Sequence, residues 1–257
     1  MQTMMNYKVY GSGQPLLILH GFLGSLDNWH TIANELGKYL KVYTIDLRNH
    51  GKSFHAPTHS IQDMVDDVYA FIQTHELKMV QLMGHSMGGK VAMEFALQYP
   101  SMVNQLIIVD IAPKLYKRGH DDVLKALQEV QLEGMQSRKE VESALMPYLP
   151  DFGVRQFIMK NLDRNDAGAY SWKMNVPVLL RDYNQVVQAI APNRQFLGDT
   201  LFIRGGNSIY IQDSDSQQMK DLFPRYSLET IENAGHWVHA DQPLLLINLV
   251  LNFLKRR

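Results

Sequence analysis

The chain has 257 residues, 46% of them hydrophobic and 20% charged, with a net charge of -1 and no cysteine. A core is readily buried at this length without disulfides or a structural metal, and the missing thiol removes cysteine nucleophiles, CxxC redox pairs, iron–sulfur clusters and cysteine zinc sites. Near-neutral charge supplies no long-range field for nucleic acid or anionic lipid, so neither is expected as a partner.

The N-terminal stretch Met1-Gln2-Thr3-Met4-Met5-Asn6-Tyr7-Lys8 lacks a basic start followed by an apolar run, so no secretory signal is expected. Short apolar runs then alternate with helical patterns, the signature of βαβ units and a mostly parallel sheet. Leu16-Leu17-Ile18-Leu19, Val42-Tyr43-Thr44-Ile45, Val80-Gln81-Leu82-Met83 and Leu106-Ile107-Ile108-Val109 read as strands. Between the second and third, Ser60 and Asp63 form a capping box. It opens a helix whose apolar face holds Ile61, Met64, Val65, Val68, Phe71 and Ile72. The rhythm runs to about Pro113.

From Lys114 to about Asn193 no strand is predicted. Val123 to Val130 and Val141 to Met146 carry helical spacing, and loops with Pro147, Pro150, Gly153 and Gly168 separate such segments. The rhythm returns with a strand at Thr200-Leu201-Phe202-Ile203, a polar helix near Ser214 to Leu222, a strand over Tyr226 to Ile231 and a last helix from Pro243 to Leu254. The longest apolar stretch, Leu244 to Leu254, is broken by Asn248 and Asn252 and is too short to cross a bilayer. A cytoplasmic α/β protein is expected, with a core over residues 1–113 and 194–257 and a helical insertion over 114–193.

Gly84-His85-Ser86-Met87-Gly88 is a G-x-S-x-G between a strand and a helix. In so sharp a turn the backbones approach until only glycine fits at the flanks, and the serine is held strained with its hydroxyl exposed. The helix N-terminus beneath offers unpaired N–H groups to a developing negative charge. The same residues contain a rival, because Gly84-x-x-x-x-Gly89-Lys90 matches most of a phosphate-binding P-loop and Asp110 ends a strand as a magnesium-holding acid would. A P-loop needs Ser or Thr after its lysine, and Val91 stands there.

His20-Gly21-Phe22-Leu23-Gly24 closes the first of these strands. In acyl transfer this loop gives one backbone N–H to the oxyanion and the residue after the nucleophile gives the other, here Phe22 and Met87. Alone, the loop reads better as a glycine-rich turn around a buried histidine. Asn233-Ala234-Gly235-His236-Trp237 follows the last predicted strand, and of ten histidines His236 is the one that completes the chain order serine, acid, histidine.

With these residues in hand, the chain resembles the α/β-hydrolase superfamily over essentially its full length, through Gly11-Ser12-Gly13-Gln14-Pro15, Asp46-Leu47-Arg48-Asn49-His50-Gly51-Lys52-Ser53, Gly84 to Gly89 and Gly235-His236. Arg48-Asn49-His50-Gly51, Gly84 to Lys90, Val109-Asp110-Ile111-Ala112-Pro113 and Ile203-Arg204-Gly205-Gly206-Asn207-Ser208 are similar to the YbfF-like bacterial esterases. The resemblance implies a mostly parallel central sheet with helices on both faces, an inserted helical cap, and a serine esterase or thioesterase.

The usual family pattern places Asp or Glu after the strand Leu201 to Ile203, where this chain has Ser208; the nearest acids, Asp213 and Asp215, fall in the next helix. Asp110, at the carboxyl end of the neighbouring strand, is favoured as the carboxylate behind His236, with Ser208 as a hydrogen-bonding helper. Asp213, Asp215 or no acid at all remain alternatives.

His55 and His59 are separated by Pro57, His75-Glu76 lacks the second histidine of a zinc-protease motif, and His236 with His239 is better explained by the loop, so no metal site is expected. Asp46 and Arg48 read as structural anchors, and Gly11-x-Gly13 precedes a strand, which does not fit a dinucleotide fingerprint. Leu115, Leu124, Leu127, Met135, Leu145, Met146, Phe152, Phe157, Met159, Tyr170 and Trp172 are mostly packing of the insertion, and some would line an acyl pocket. The expected activity is hydrolysis of a small-molecule acyl ester or acyl-CoA through an acyl-enzyme on Ser86, without a cofactor. Carbon–carbon bond hydrolysis, cofactor-free peroxidase chemistry and non-catalytic ligand binding are the alternatives.

Overall fold

The computed structural model describes residues 5–255. Residues 1–4, which begin the stretch read for a secretory signal, and 256–257 lie outside the described residues.

The strands and helices of the first half are β1 (Tyr7–Tyr10), β2 (Pro15–Leu19), α1 (His30–Leu36), β3 (Lys41–Ile45), α2 (Ile61–Thr74), β4 (Val80–His85), α3 (Met87–Gln98) and β5 (Val103–Val109). After an intervening segment come β8 (Asp199–Gly205), α8 (Ser216–Leu222), β9 (Tyr226–Ile231), α9 (Val238–Asp241) and α10 (Pro243–Leu254). The main strands form one seven-stranded sheet in the order β1-β3-β2-β4-β5-β8-β9, parallel except for β1 against β3. β1 is an edge strand that the sequence reading does not identify. Its residues are mostly exposed, so no buried apolar run marks it.

The period of two along each strand divides the core. Leu17, Leu19, Leu82 and Ile108 pack under Val65 and Val68 of α2 and Val91 and Phe95 of α3. Leu16, Ile18, Met83, Ile107 and Val109 pack against Ile32 and Leu36 of α1 and Leu246 and Val250 of α10. The capping box before α2 is formed, with the Asp63 N–H donating to Ser60 Oγ at 3.1 Å and the Ser60 N–H to Asp63 Oδ2 at 3.0 Å. Ile61, expected on the apolar face of this helix, is only half-buried.

Between β5 and β8 lie α4 (Asp121–Glu129), α5 (Arg138–Leu145), α6 (Phe152–Met159), β6 (Leu162–Arg164), β7 (Tyr170–Trp172) and α7 (Val176–Val186). The antiparallel hairpin of β6 and β7 corrects the expectation of no strand here. Three residues per strand are too few to carry a visible alternation. Leu115, Met146 and Phe152 are more than half exposed, so these three are not part of the buried packing of the segment.

Polar bonds hold this segment over the carboxyl ends of the strands. Asn161 Nδ2 donates to Leu23 O at 2.8 Å, the Asn175 N–H to Asn49 O at 3.0 Å and the His59 N–H to Asp182 Oδ2 at 2.9 Å. Lys90, the would-be P-loop lysine, sends its ammonium to backbone carbonyls at both ends of the segment: Lys114 O at 2.8 Å, Val187 O at 3.2 Å and Gln188 O. Burial pushes its pKa down to about 7, and the three carbonyls oppose loss of the proton. No described helix is long and apolar enough to cross a membrane.

Candidate active site

Ser86 stands between β4 and α3 with φ 52° and ψ −118°, a conformation that side-chain-bearing residues rarely adopt. The packing around it leaves little choice. A Cβ on Gly84 would lie 2.1 Å from Gly88 O, and one on Gly88 would lie 2.4 Å from Leu19 O. The Ser86 N–H donates to Val109 O at 3.1 Å, and the Lys90 N–H closes the first turn of α3 on Ser86 O at 3.0 Å. The turn is thereby locked between two strands and a helix, which is how about 1–3 kcal/mol of local strain can persist.

His236 and Asp110 complete a continuous line of hydrogen bonds from this serine. His236 Nε2 is 3.0 Å from Ser86 Oγ, and His236 Nδ1 is 2.7 Å from Asp110 Oδ2. A carboxylate at Nδ1 fixes the imidazole proton there and turns the Nε2 lone pair toward the serine hydroxyl. Asp110 is fully buried at the end of β5 with φ 51°; it accepts the Gly205 N–H at 2.9 Å and the Ser208 hydroxyl. Ser208 Oγ in turn accepts the Tyr210 N–H at 3.2 Å, and the Tyr210 ring stacks on His236 with centroids 3.7 Å apart. Behind the loop, His85 Nε2 donates to His236 O at 2.8 Å. Burial and the nearby His236 hold His85 well below the ordinary imidazole pKa, which keeps it neutral. Asp213 and Asp215 are elsewhere, the first on Arg204 Nη1 at 2.6 Å and the second on Lys114 Nζ at 2.6 Å.

The loop at 20–24 is stitched to the loop after β3 by a reciprocal pair of imidazoles. His20 Nε2 accepts the Leu47 N–H at 3.0 Å, while His50 Nε2 accepts the Leu23 N–H at 3.1 Å, with the rings 5.0 Å apart. Each donates Nδ1–H to a nearby carbonyl, His20 to Gly21 O at 2.8 Å and His50 to Arg48 O at 3.0 Å. Burial lowers both pKa values, so both rings stay neutral and able to accept. Asp46 adds a third stitch by accepting the Leu26 N–H at 2.7 Å and the Lys52 N–H at 2.9 Å. Arg48 is engaged with Asp67 at 2.8 Å and Asp63 at 3.0 Å. Phe22 is thus carried on a fixed turn facing the elbow, and Met87 opens α3, where a backbone N–H has no intrahelical acceptor.

Ser86 opens onto two cavities. The larger, about 210 Å³, is lined by His236, Trp237, Val123, Val154 and Phe157 and runs back to Trp29 and His239, whose rings stack 4.7 Å apart. The smaller, about 40 Å³, is lined by Met87, Ile111, Val186, Val187 and Tyr210. Phe22 and His120 border both. His120, which carries no sequence motif, bonds Tyr183 Oη through Nδ1 at 2.6 Å, and burial pushes its pKa down to about 4. Sequence reasoning missed His120, Tyr183 and Trp29, since none stands in a recognisable local pattern, and it weighed His239 only as a metal ligand, not as a cavity residue. Phe157, read as a possible pocket residue, lies on the larger cavity. Among the described residues no three His, Asp or Glu side chains gather into a metal-holding group.

A family model described as alpha/beta hydrolase fold matches residues 14–243. The chain is 35% identical to the sn-1-specific diacylglycerol lipase ABHD11 of Danio rerio, over 98% of this chain and 82% of that protein. It is 30% identical to esterase YbfF of Escherichia coli K12, over 95% of this chain and 94% of that one. Among solved structures, a marine microorganism esterase matches with a TM-score of 0.95 at 39% identity, covering 98% of this chain and 100% of the other.

Proposed function

The chain belongs to the α/β-hydrolase family, and from that premise we propose that it hydrolyses esters through Ser86 as nucleophile, His236 as general base and acid, and Asp110 as the carboxylate behind the histidine. It is an esterase, like the proteins it resembles. Ser86 Oγ attacks the acyl carbonyl while His236 Nε2 takes its proton. The oxyanion that forms accepts the Phe22 and Met87 N–H groups, and Asp110 offsets the charge of the imidazolium. Collapse breaks the bond to the leaving group, which receives the proton from His236. Water then attacks the acyl-serine with His236 again as base, and the acid is released. Ser208 donates to the same Asp110 oxygen that faces His236, while the Gly205 N–H holds the other. Acyl thioesters, acyl-CoA among them, would follow the same steps with a thiol as leaving group. Residues 114–193 act as a cap that walls the site.

The observation that carries this reading is the hydrogen-bonded line from Ser86 through His236 to Asp110 on a strained strand-to-helix turn. The test is labelling with a fluorophosphonate probe, followed by a panel of acyl esters and acyl-CoA thioesters, beside Ser86→Ala. Labelling at Ser86 with turnover that Ser86→Ala abolishes is expected. Absence of labelling overturns the serine mechanism.

A further inference from the structure

We infer that the leaving group of the substrate, and not its acyl group, occupies the larger cavity, which makes esters of short acids with bulky alcohols the preferred substrates. This rests on the esterase mechanism above. In the tetrahedral intermediate the reacting carbon carries four groups: Ser86 Oγ, the oxyanion, the leaving oxygen and the acyl carbon. The oxyanion points at Phe22 and Met87. The leaving oxygen must receive a proton from His236 Nε2, which lies 3.0 Å from Ser86 Oγ, so it sits on the His236 side. The acyl carbon takes the remaining direction, away from His236.

The two cavities divide along that line. His236 and Trp237 line the larger one. The smaller is bordered by Met87, Ile111, Val186 and Val187 and not by His236. Between them stands an aromatic wall, with Phe22 stacked on Tyr183 at 5.0 Å and His120 edge-on to Phe22 at 5.8 Å. The smaller cavity, about 40 Å³, has roughly a fifth of the room of the larger, about 210 Å³. A short acyl chain fits the first.

The small cavity is also held against expansion. The Lys90 ammonium bonds the carbonyls of Val187 and Lys114, and the Tyr116 N–H donates to Val187 O at 3.0 Å. These bonds tie its wall to the helix that follows the nucleophile. Hydrocarbon length on the substrate therefore belongs to the alcohol side, along Val123, Val154 and Phe157.

Hexyl acetate and ethyl hexanoate contain the same atoms and differ only in which side of the ester is long. We expect kcat/KM to favour hexyl acetate by about tenfold or more, the scale on which hydrophobic pockets discriminate chain length. Val154→Phe, which narrows the larger cavity, should lower kcat/KM for hexyl acetate by about tenfold more than for ethyl acetate. Val187→Ala should raise it for ethyl hexanoate, with thermal melting confirming that both variants fold. Equal use of the two isomers, a preference for ethyl hexanoate, or a Val154→Phe effect confined to ethyl hexanoate overturns the assignment. If the folded protein is not labelled at Ser86 or cleaves neither isomer, the esterase mechanism itself fails. A labelled enzyme that cleaves both isomers equally refutes only the cavity assignment.

Discussion

The turn that carries Ser86 and the segment that covers it are built on different principles. At the turn, backbone geometry positions the atoms: Ser86 and Asp110 both hold positive φ, 52° and 51°, at the ends of adjacent strands, and Gly84 and Gly88 leave no room for a side chain. The covering segment is made of short helices and a three-residue hairpin, and side chains reaching to carbonyls, such as Asn161 to Leu23 and Lys90 to Lys114, hold it down. A reaction needs its groups fixed to a fraction of an ångström, which strained backbone anchored in a sheet supplies. A pocket needs only shape and apolar surface, which packing supplies. Substitutions at the turn should therefore change how fast any ester reacts, and substitutions in the cover should change which ester reacts.

The severest way to break that division is Ser86→Ala, which should cost about a millionfold in kcat and shift the melting temperature little, because Ser86 lends its hydroxyl and not its packing to the turn. A large fall in melting temperature alongside the lost activity would show that nucleophile and fold are not separable here. Next is Asp110→Asn, expected to lower turnover about ten-thousandfold by losing the countercharge and the correct imidazole tautomer. Asp213→Asn, on an exposed side chain paired with Arg204, should leave turnover within about twofold. Abolition of turnover by Asp213→Asn alone would place the supporting acid elsewhere.

Legibility in the sequence follows the same division. The turn could be read because steric demands write themselves into neighbouring positions: glycine on either side of a serine, a strand before, a helix after. The helices α2 and α10 and the central strands were equally plain, since burial imposes a period. Most of the cover was not. Gly153, expected in a loop, lies in the first turn of α6, α7 opens with Val176-Pro177 and no side-chain cap, and the β6 and β7 hairpin is shorter than its own pattern. His120 and Tyr183 meet across 63 residues of sequence, a contact that no local spacing announces. Lys90 was legible as a residue and misleading as a motif, because the elbow glycines supply most of a P-loop by coincidence.

Lys90 joins the two regions, since it belongs to the helix of the turn but serves the cover. Lys90→Met removes the donors to Lys114 O and Gln188 O, while Val187 O keeps the Tyr116 N–H. An unpaired carbonyl costs about 1–3 kcal/mol when buried and less at half-buried Lys114 and exposed Gln188, and the loss is offset in part by no longer burying an ammonium. We expect a net loss of ~2 kcal/mol, or about 5 °C in melting temperature at this chain length. Fluorophosphonate labelling of Ser86 should stay within about threefold, and the preference between hexyl acetate and ethyl hexanoate should narrow. A collapse in labelling rate with an unchanged preference would mean that Lys90 supports the turn instead.

The smallest effect at neutral pH, and the most selective for pH, concerns His59, which lies where the two regions meet. Its N–H bonds Asp182 in α7 and its ring packs beside His50 and Phe22, yet neither ring nitrogen has a partner. Burial, with Arg48 and His20 adding to it and Asp182 and Asp63 opposing, brings its pKa from 6.5 down to about 3. Between those values the unfolded chain binds a proton that the folded chain refuses. Stability is then full above pH 6.5 and falls as the pH drops toward 3, at up to ~1.4 kcal/mol per pH unit for this group. His120 and His239, lowered to about 4 and about 3, act with the same sign. His59→Leu forfeits no side-chain hydrogen bond, so urea unfolding at pH 7 should differ from the parent by less than about 1 kcal/mol. At pH 5 the variant should be the more stable by roughly 2 kcal/mol. Equal losses of stability between pH 7 and pH 5 in the two proteins would mean that His59 takes up its proton without unfolding, and that the junction of turn and cover yields to charge where its packing indicates that it should not.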